Sequence, residues 1–180
     1  MEKSVAGHPP DTLHDRGATT EHADLLREFD EFANTASTAD VLMTHIAQRL
    51  HEKLTRYNWV GFYLVDPHNA GVLVVGPYVG SFTPLARIPF DTGLCGAAAR
   101  GARTVVVNEV RKDERYVAGS SMVLSEIVVP IMVSGRVAAE LDINSYFPAT
   151  FNKPEQAFVE ACAQIVGTYI RNNSGNDAGR

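Results

Sequence analysis

The period of the hydrophobic positions changes along the chain, and the changes mark its elements. From Glu21 to about Ala33 the residues Leu25, Leu26, Phe29 and Phe32 recur at spacings of three and four, the period of a short amphipathic helix. A second helix follows: Leu42, Ile46, Leu50 and Leu54 repeat every four residues among His51, Glu52, Lys53 and Arg56, and Ser37 or Thr38 is placed to cap it. After Tyr57 the pattern turns to β-branched and aromatic runs. Trp59 to Val65, an Asp66-Pro67 turn and Gly71 to Gly80 predict neighbouring antiparallel strands. Ala86 to Phe90 is a further short extended piece, and the small residues after Asp91-Thr92-Gly93 suit a short helix packed closely on a sheet. Thr104 to Val110 returns to strand, and residues 111–124 read as a long loop. SEIVVPIMV and RVAAELDI flank a Ser134-Gly135 turn and predict a hairpin. Phe158, Cys162, Ile165 and Tyr169 then line one face of a terminal helix from Lys153 to Arg171.

This order predicts an α+β fold, a mostly antiparallel sheet with helices on one face and loops on the other. The helix-free face is where loops can close over a small ligand. Residues 1–19, with Gly7, Pro9, Pro10 and Gly17 and no apolar period, are expected to be a disordered tail. Residues 20–172 then form one domain, and 173–180 a frayed end.

With 180 residues, 45% of them hydrophobic, the chain can bury a core without disulfides, and its 2 cysteines exclude a disulfide framework. A formal charge of -5 has the wrong sign for nucleic acid or an anionic membrane surface. No apolar run approaches the ~18 residues of a membrane span, and the N-terminus lacks the apolar centre of a signal peptide, so the expected location is the cytoplasm.

Candidate chemistry is concentrated in few residues. Cys95 opens the small-residue helix, where backbone N–H groups and the helix dipole favour a thiolate; it reads equally as a small buried hydrophobe. Cys162 lies on the apolar stripe of the last helix and reads as core. Glu126 interrupts an apolar strand and needs a partner there. Glu140 and Asp142 alternate with Leu141 and Ile143, so they share a face that is either solvent, the usual meaning of alternating charge, or a pocket. Trp59, Gly61 and Tyr63 share a face of the first strand, giving core packing or an aromatic pocket wall. The histidines at 8, 14, 22, 45, 51 and 68 form no ligand-spaced pair with the cysteines, so no zinc, haem or other metal is expected.

Taken together, YNWVGFYL (57–64), GPYVG (76–80), RIPFDTGLCGAAAR (87–100), SEIVVPI (125–131) and ELDINS (140–145) resemble the free methionine-(R)-sulfoxide reductases, which are single GAF domains. The resemblance spans about residues 20–170 and implies a six-stranded antiparallel sheet flanked by helices, often a homodimer, with a pocket under the long loop. In that family a cysteine attacks the sulfoxide sulfur, methionine leaves, and the sulfenic acid is resolved by a second cysteine to a disulfide that thioredoxin reduces. Carried over, Trp59 and Tyr63 match the aromatic wall around the substrate methyl. Glu126 and Asp142 match carboxylates that bind the substrate amino group or protonate the sulfoxide oxygen, and Cys95 matches the cysteine of GxCG. The departures are Gly119 and Leu85 at the family's two other cysteine positions, and Asn144 in place of a substrate-binding carboxylate. The expected function is thus a divergent ligand-binding domain, its ligand an amino acid or methionine sulfoxide, without the disulfide-forming cycle. The alternative is a reductase using Cys95 alone, with thioredoxin or glutathione as reductant and no bound cofactor. A homodimer through the stripe Leu25, Phe29, Phe32 is a further expectation, with intramolecular packing of that stripe an equal reading. FNKPEQAF resembles the Asn-Lys-Phe-Asp-Glu motif of cyclic-nucleotide-binding GAF domains only superficially, since positions 162 and 163 are Cys and Ala.

Overall fold

The computed structural model describes residues 12–174, with side chains from residue 20. Helices α1 (Thr12–Ala33) and α2 (Ala39–Lys53) lead into strands β1 (Trp59–Asp66), β2 (Asn69–Gly80) and β3 (Arg87–Pro89). Helix α3 (Gly93–Gly101), strand β4 (Val105–Val107), a 3-10 turn at Val110–Lys112, strands β5 (Ser125–Val133) and β6 (Arg136–Ser145) and helix α4 (Lys153–Asn173) complete the chain. The six strands form one sheet in the order β3-β2-β1-β6-β5-β4, and every neighbouring pair is antiparallel. The α+β architecture is the expected one.

Local chemistry explains the boundaries. The Thr38 hydroxyl accepts from the Val41 amide at 3.2 Å and starts α2. Asn152 does the same for α4, taking the Glu155 amide at 3.0 Å, with Pro154 in the first turn where its missing N–H costs nothing. The β5–β6 hairpin closes on Ser134 and Gly135 with φ of 51° and 78°, the two positive values that a two-residue turn matched to strand twist demands.

Alternation along the strands sends side chains to two different cores. Val60 and Phe62 of β1, Ile127, Val129 and Ile131 of β5, and Leu141 and Ile143 of β6 pack with Leu25, Phe29, Leu42, Ile46, Leu50, Phe158 and Val166 of α1, α2 and α4. Each such aliphatic or aromatic side chain contributes roughly 1.5–3 kcal/mol on burial. On the opposite face Trp59, Tyr63, Leu73 and Val128 pack with Leu94, Cys95, Ala98 and Ala99 of α3 and with Val123 of the long loop.

Three expectations are corrected. The second face is not helix-free, because the small residues of α3 let that helix lie directly on it. Leu25 and Phe29 are fully used in the core and Phe32 stacks on His45 at 3.9 Å, so that stripe is not a free dimer contact. Helix α1 begins at Thr12, ahead of the boundary expected at residue 20: after Pro10 nothing in the sequence blocks a helix. The expected disorder of residues 1–11 and 175–180 lies outside the described residues. Among the described residues no helix is long and apolar enough to cross a membrane.

Candidate functional site

All six residues singled out in the sequence, Trp59, Tyr63, Cys95, Glu126, Asp142 and Asn144, line one cavity on the α3 side of the sheet. The sheet register explains why. Asn144 lies opposite both Trp59 and Glu126, and Asp142 lies opposite Gly61 and Val128, so three adjacent strands present these side chains to the same spot. Gly61 leaves the space over which the Trp59 indole lies: a Cβ there would run into that ring and stand 2.7 Å from Tyr78 Cβ. The indole is stacked between Tyr78 (5.7 Å) and Phe82 (5.3 Å). Phe82, Leu85, Tyr116, Val117 and Gly119 close the cavity from the loop side. The enclosed space is only about 50 Å³, room for one or two waters at ~30 Å³ each. A larger groove of about 720 Å³ between α1 and α4 carries Asp30 as its single charged residue and no nucleophile.

The cavity is acidic and small. Its lining holds Glu126 and Asp142 and no Lys, Arg or His. The Cys95 thiol donates to Asp142 Oδ2 at 3.7 Å, and Asn144 Nδ2 donates to Asp142 Oδ1 at 2.8 Å. Burial pushes the Asp142 carboxyl up to about 7, against the two hydrogen bonds that favour its ionised form. Burial, then the charge of Asp142, pushes Glu126 and Glu140 well above the usual carboxylate range. Glu140 is fully buried on the same strand face as Asp142, and neither of its carboxylate oxygens has a hydrogen-bond partner. The reading of Glu140 as a solvated face is therefore corrected: alternating charge on β6 faces the second core because α3 and the long loop roof it.

The expectation of a thiolate at Cys95 is also corrected. Cys95 sits in the first turn of α3, yet it is buried, and desolvation followed by the charges of Asp142, Glu140 and Glu126 raises its thiol well above the ordinary value. The helix dipole at the first turn, worth ~1 kcal/mol, is outweighed by burial and by the three nearby acids. Cys162 belongs to the other core, so the sheet stands between the two thiols, and both are free. Leu85 and Gly119, the positions where the resemblance would place cysteines, both line the cavity. A Cβ at Gly119 would meet Phe82 Cε2 at 2.9 Å, so Phe82 occupies the room that a side chain at 119 would need. Phe82 and Tyr116 were not singled out by sequence reasoning; a lone aromatic in SFTPL is the only signal that marks Phe82.

A single antiparallel sheet carries helices on one face and, on the other, a roofed cavity with one short helix at its rim. The GAF domain profile matches residues 38–170, and the chain belongs to the GAF domain family. Within it the relatives are specific. The chain is 30% identical to the free methionine-R-sulfoxide reductase of Escherichia coli over 145 residues, 80% of this chain and 86% of that one. It is similarly 30% identical to the Saccharomyces cerevisiae protein of the same name, over 72% of this chain and 71% of that one. The structure of free methionine-R-sulfoxide reductase from Neisseria meningitidis in complex with its substrate superposes with a TM-score of 0.82 at 28% identity, covering 96% of this chain and 98% of that one. The resemblance seen in the sequence motifs thus holds for the whole domain.

Proposed function

We propose that this chain is a divergent member of the free methionine-R-sulfoxide reductase group that binds a small amino-acid-like ligand, methionine or its sulfoxide, without the disulfide-forming cycle. One observation carries the reading: the aromatic wall and the acids surround a cavity with a single thiol, because Leu85 and Gly119 stand at its rim where further thiols would be needed. Cys162 cannot replace them from the far side of the sheet. Two sulfurs bridge only when their Cα atoms come within about 7 Å.

In this reading Trp59 and Tyr63 take the apolar end of the ligand. The carboxyls of Glu126 and Asp142 take its ammonium group, whose charge offsets the cost of ionising them. A space of about 50 Å³ is too small for an amino acid, so entry displaces Phe82 and the loop around Gly119. The homodimer and the cytoplasmic location belong to this proposal as well.

A second reading is favoured by the contact between Cys95 and Asp142. Cys95 attacks the sulfoxide sulfur while a protonated Asp142 gives its proton to the oxygen and takes up the thiol proton in return; the oxygen passes to Cys95 as a sulfenic acid and methionine leaves. An external thiol, from glutathione or thioredoxin, condenses with it to a mixed disulfide and water, and a second thiol restores Cys95. Calorimetric titration with methionine and its sulfoxides, beside thioredoxin- and glutathione-coupled turnover of free methionine-(R)-sulfoxide, separates the readings. Binding without turnover supports the first. Turnover abolished in Cys95→Ser establishes the second, and neither binding nor turnover refutes both.

A further inference from the structure

The side chains of Cys95, Glu126 and Asp142 come from α3, β5 and β6, and their ligating atoms lie within 4.8 Å of one another, all buried. No metal-ligand spacing is visible along the chain because each donor comes from a different element. The Cys95 Sγ to Asp142 Oδ2 edge is 3.7 Å. Zinc–sulfur and zinc–oxygen bonds of ~2.3 and ~2.0 Å at a tetrahedral angle subtend an edge of about 3.5 Å, so this edge is already preformed. Asn144 holds the other oxygen of Asp142 at 2.8 Å, the outer-shell contact that orients a ligating carboxylate. Beside them Glu140 is fully buried on the Asp142 face of β6; neither of its oxygens meets a partner in good hydrogen-bond geometry, and the side-chain donor that bears on it is the Cys95 thiol. A buried carboxylate without a partner is costly, and no Lys, Arg or His lines the cavity to compensate it.

We propose that Cys95, Glu126 and Asp142 form a binding site for one divalent transition-metal ion of the zinc and cobalt type, with the Glu140 carboxyl beside the Cys95 sulfur. The one-thiolate, two-carboxylate set is mixed soft and hard, which suits zinc over magnesium or calcium. On binding, the Cys95 thiol and the Glu126 and Asp142 carboxyls give up the protons they hold to solvent, metal–sulfur and metal–oxygen bonds form, and no redox change occurs. The site shares the cavity assigned above to an amino-acid-like ligand, but the metal proposal does not depend on that assignment.

The test uses the full chain, stripped with chelator and titrated with Co²⁺ alone. The expected result is one Co²⁺ per chain, a thiolate-to-cobalt charge-transfer band, and a rise in Tm that grows with Co²⁺ concentration. Cys95→Ser should remove the band, and Asp142→Asn or Glu126→Gln should weaken binding at least tenfold, each variant first shown by circular dichroism to be folded. Cys162→Ala, altered in the other core, should keep the band. Absence of stoichiometric binding to the wild type, or a band and Tm rise that persist in Cys95→Ser, overturns the proposal. A band retained at full affinity in both carboxylate variants overturns it too.

Discussion

Replacing Asp142 by Asn should stabilise the protein in alkaline solution and lose that advantage in acid. The side chain titrates near 7 in the fold against 3.8 when free. A gap of about three pH units, at ~1.4 kcal/mol each, means that ionised Asp142 costs the fold about 4 kcal/mol. Because the folded-state value is the raised one, the stabilising contribution of protonated Asp142 is fully present below about pH 4 and is lost as pH rises through 7. Asparagine keeps the shape but weakens the bonds from the Cys95 thiol and the Asn144 amide, a loss of roughly 1–2 kcal/mol. The net gain at pH 8.5 is then about 2 kcal/mol. Between pH 4 and pH 8.5 the wild type should lose about 4 kcal/mol relative to the variant, part of it relief of Glu126 and Glu140, which feel the same charge. Urea unfolding with chelator present reads this directly. With m of ~2–3 kcal/mol/M, the difference between the two midpoints should move by about 1.5 M across that range. A difference that does not change with pH, or one that moves in favour of the wild type as pH rises, refutes the assignment of a raised carboxyl at this position.

Other outcomes follow from the same geometry. Gly119→Cys combined with Phe82→Ala places a second thiol at the cavity and removes the ring in its way, so mild oxidation should consume two free thiols and leave Cys162 titratable; thioredoxin-coupled turnover of methionine-(R)-sulfoxide should appear with it, and two unreacted cavity thiols would contradict this placement of residue 119. Gly61→Ala forces a methyl into the Trp59 ring and the Tyr78 side chain and should cost about 1–3 kcal/mol in urea unfolding while abolishing ligand binding by calorimetry. Leu141→Ala, in the helix-side core, should cost about 2–5 kcal/mol with no change in Co²⁺ affinity of the folded protein. Thr38→Ala removes the cap of α2 and should lower stability by ~1 kcal/mol.

The element order was legible because strand and helix periods differ, and the alternation Trp59/Val60/Gly61/Phe62/Tyr63 already separated the two faces of β1. The identity of what covers each face was not. Glu140 and Asp142 show the reason: alternation states that two side chains share a face, but whether α3 and a polar loop roof that face depends on contacts far apart in sequence. Cys95 shows the same limit. Its helix-terminal position was readable and favoured a thiolate, whereas the three acids that reverse the balance come from β5 and β6 and reach it only through the fold. The stripe on α1 carried no mark of whether Leu25 and Phe29 meet another chain or their own sheet. The loop closure at Phe82 was illegible for a further reason, since Gly119 signals only an absent side chain and says nothing of which ring takes the space.

The stacking of Trp59 between Tyr78 and Phe82 has an optical consequence. Trp59 is the chain's sole tryptophan, so emission excited at the red edge, where the six tyrosines do not absorb, originates at the pocket wall. The indole N–H is buried without a hydrogen-bond partner, an environment that gives blue-shifted emission. Any event that lifts Phe82 admits water to that ring and shifts the colour to the red. The domain therefore carries a built-in dye that reports whether its cavity is shut or open, with no label to attach.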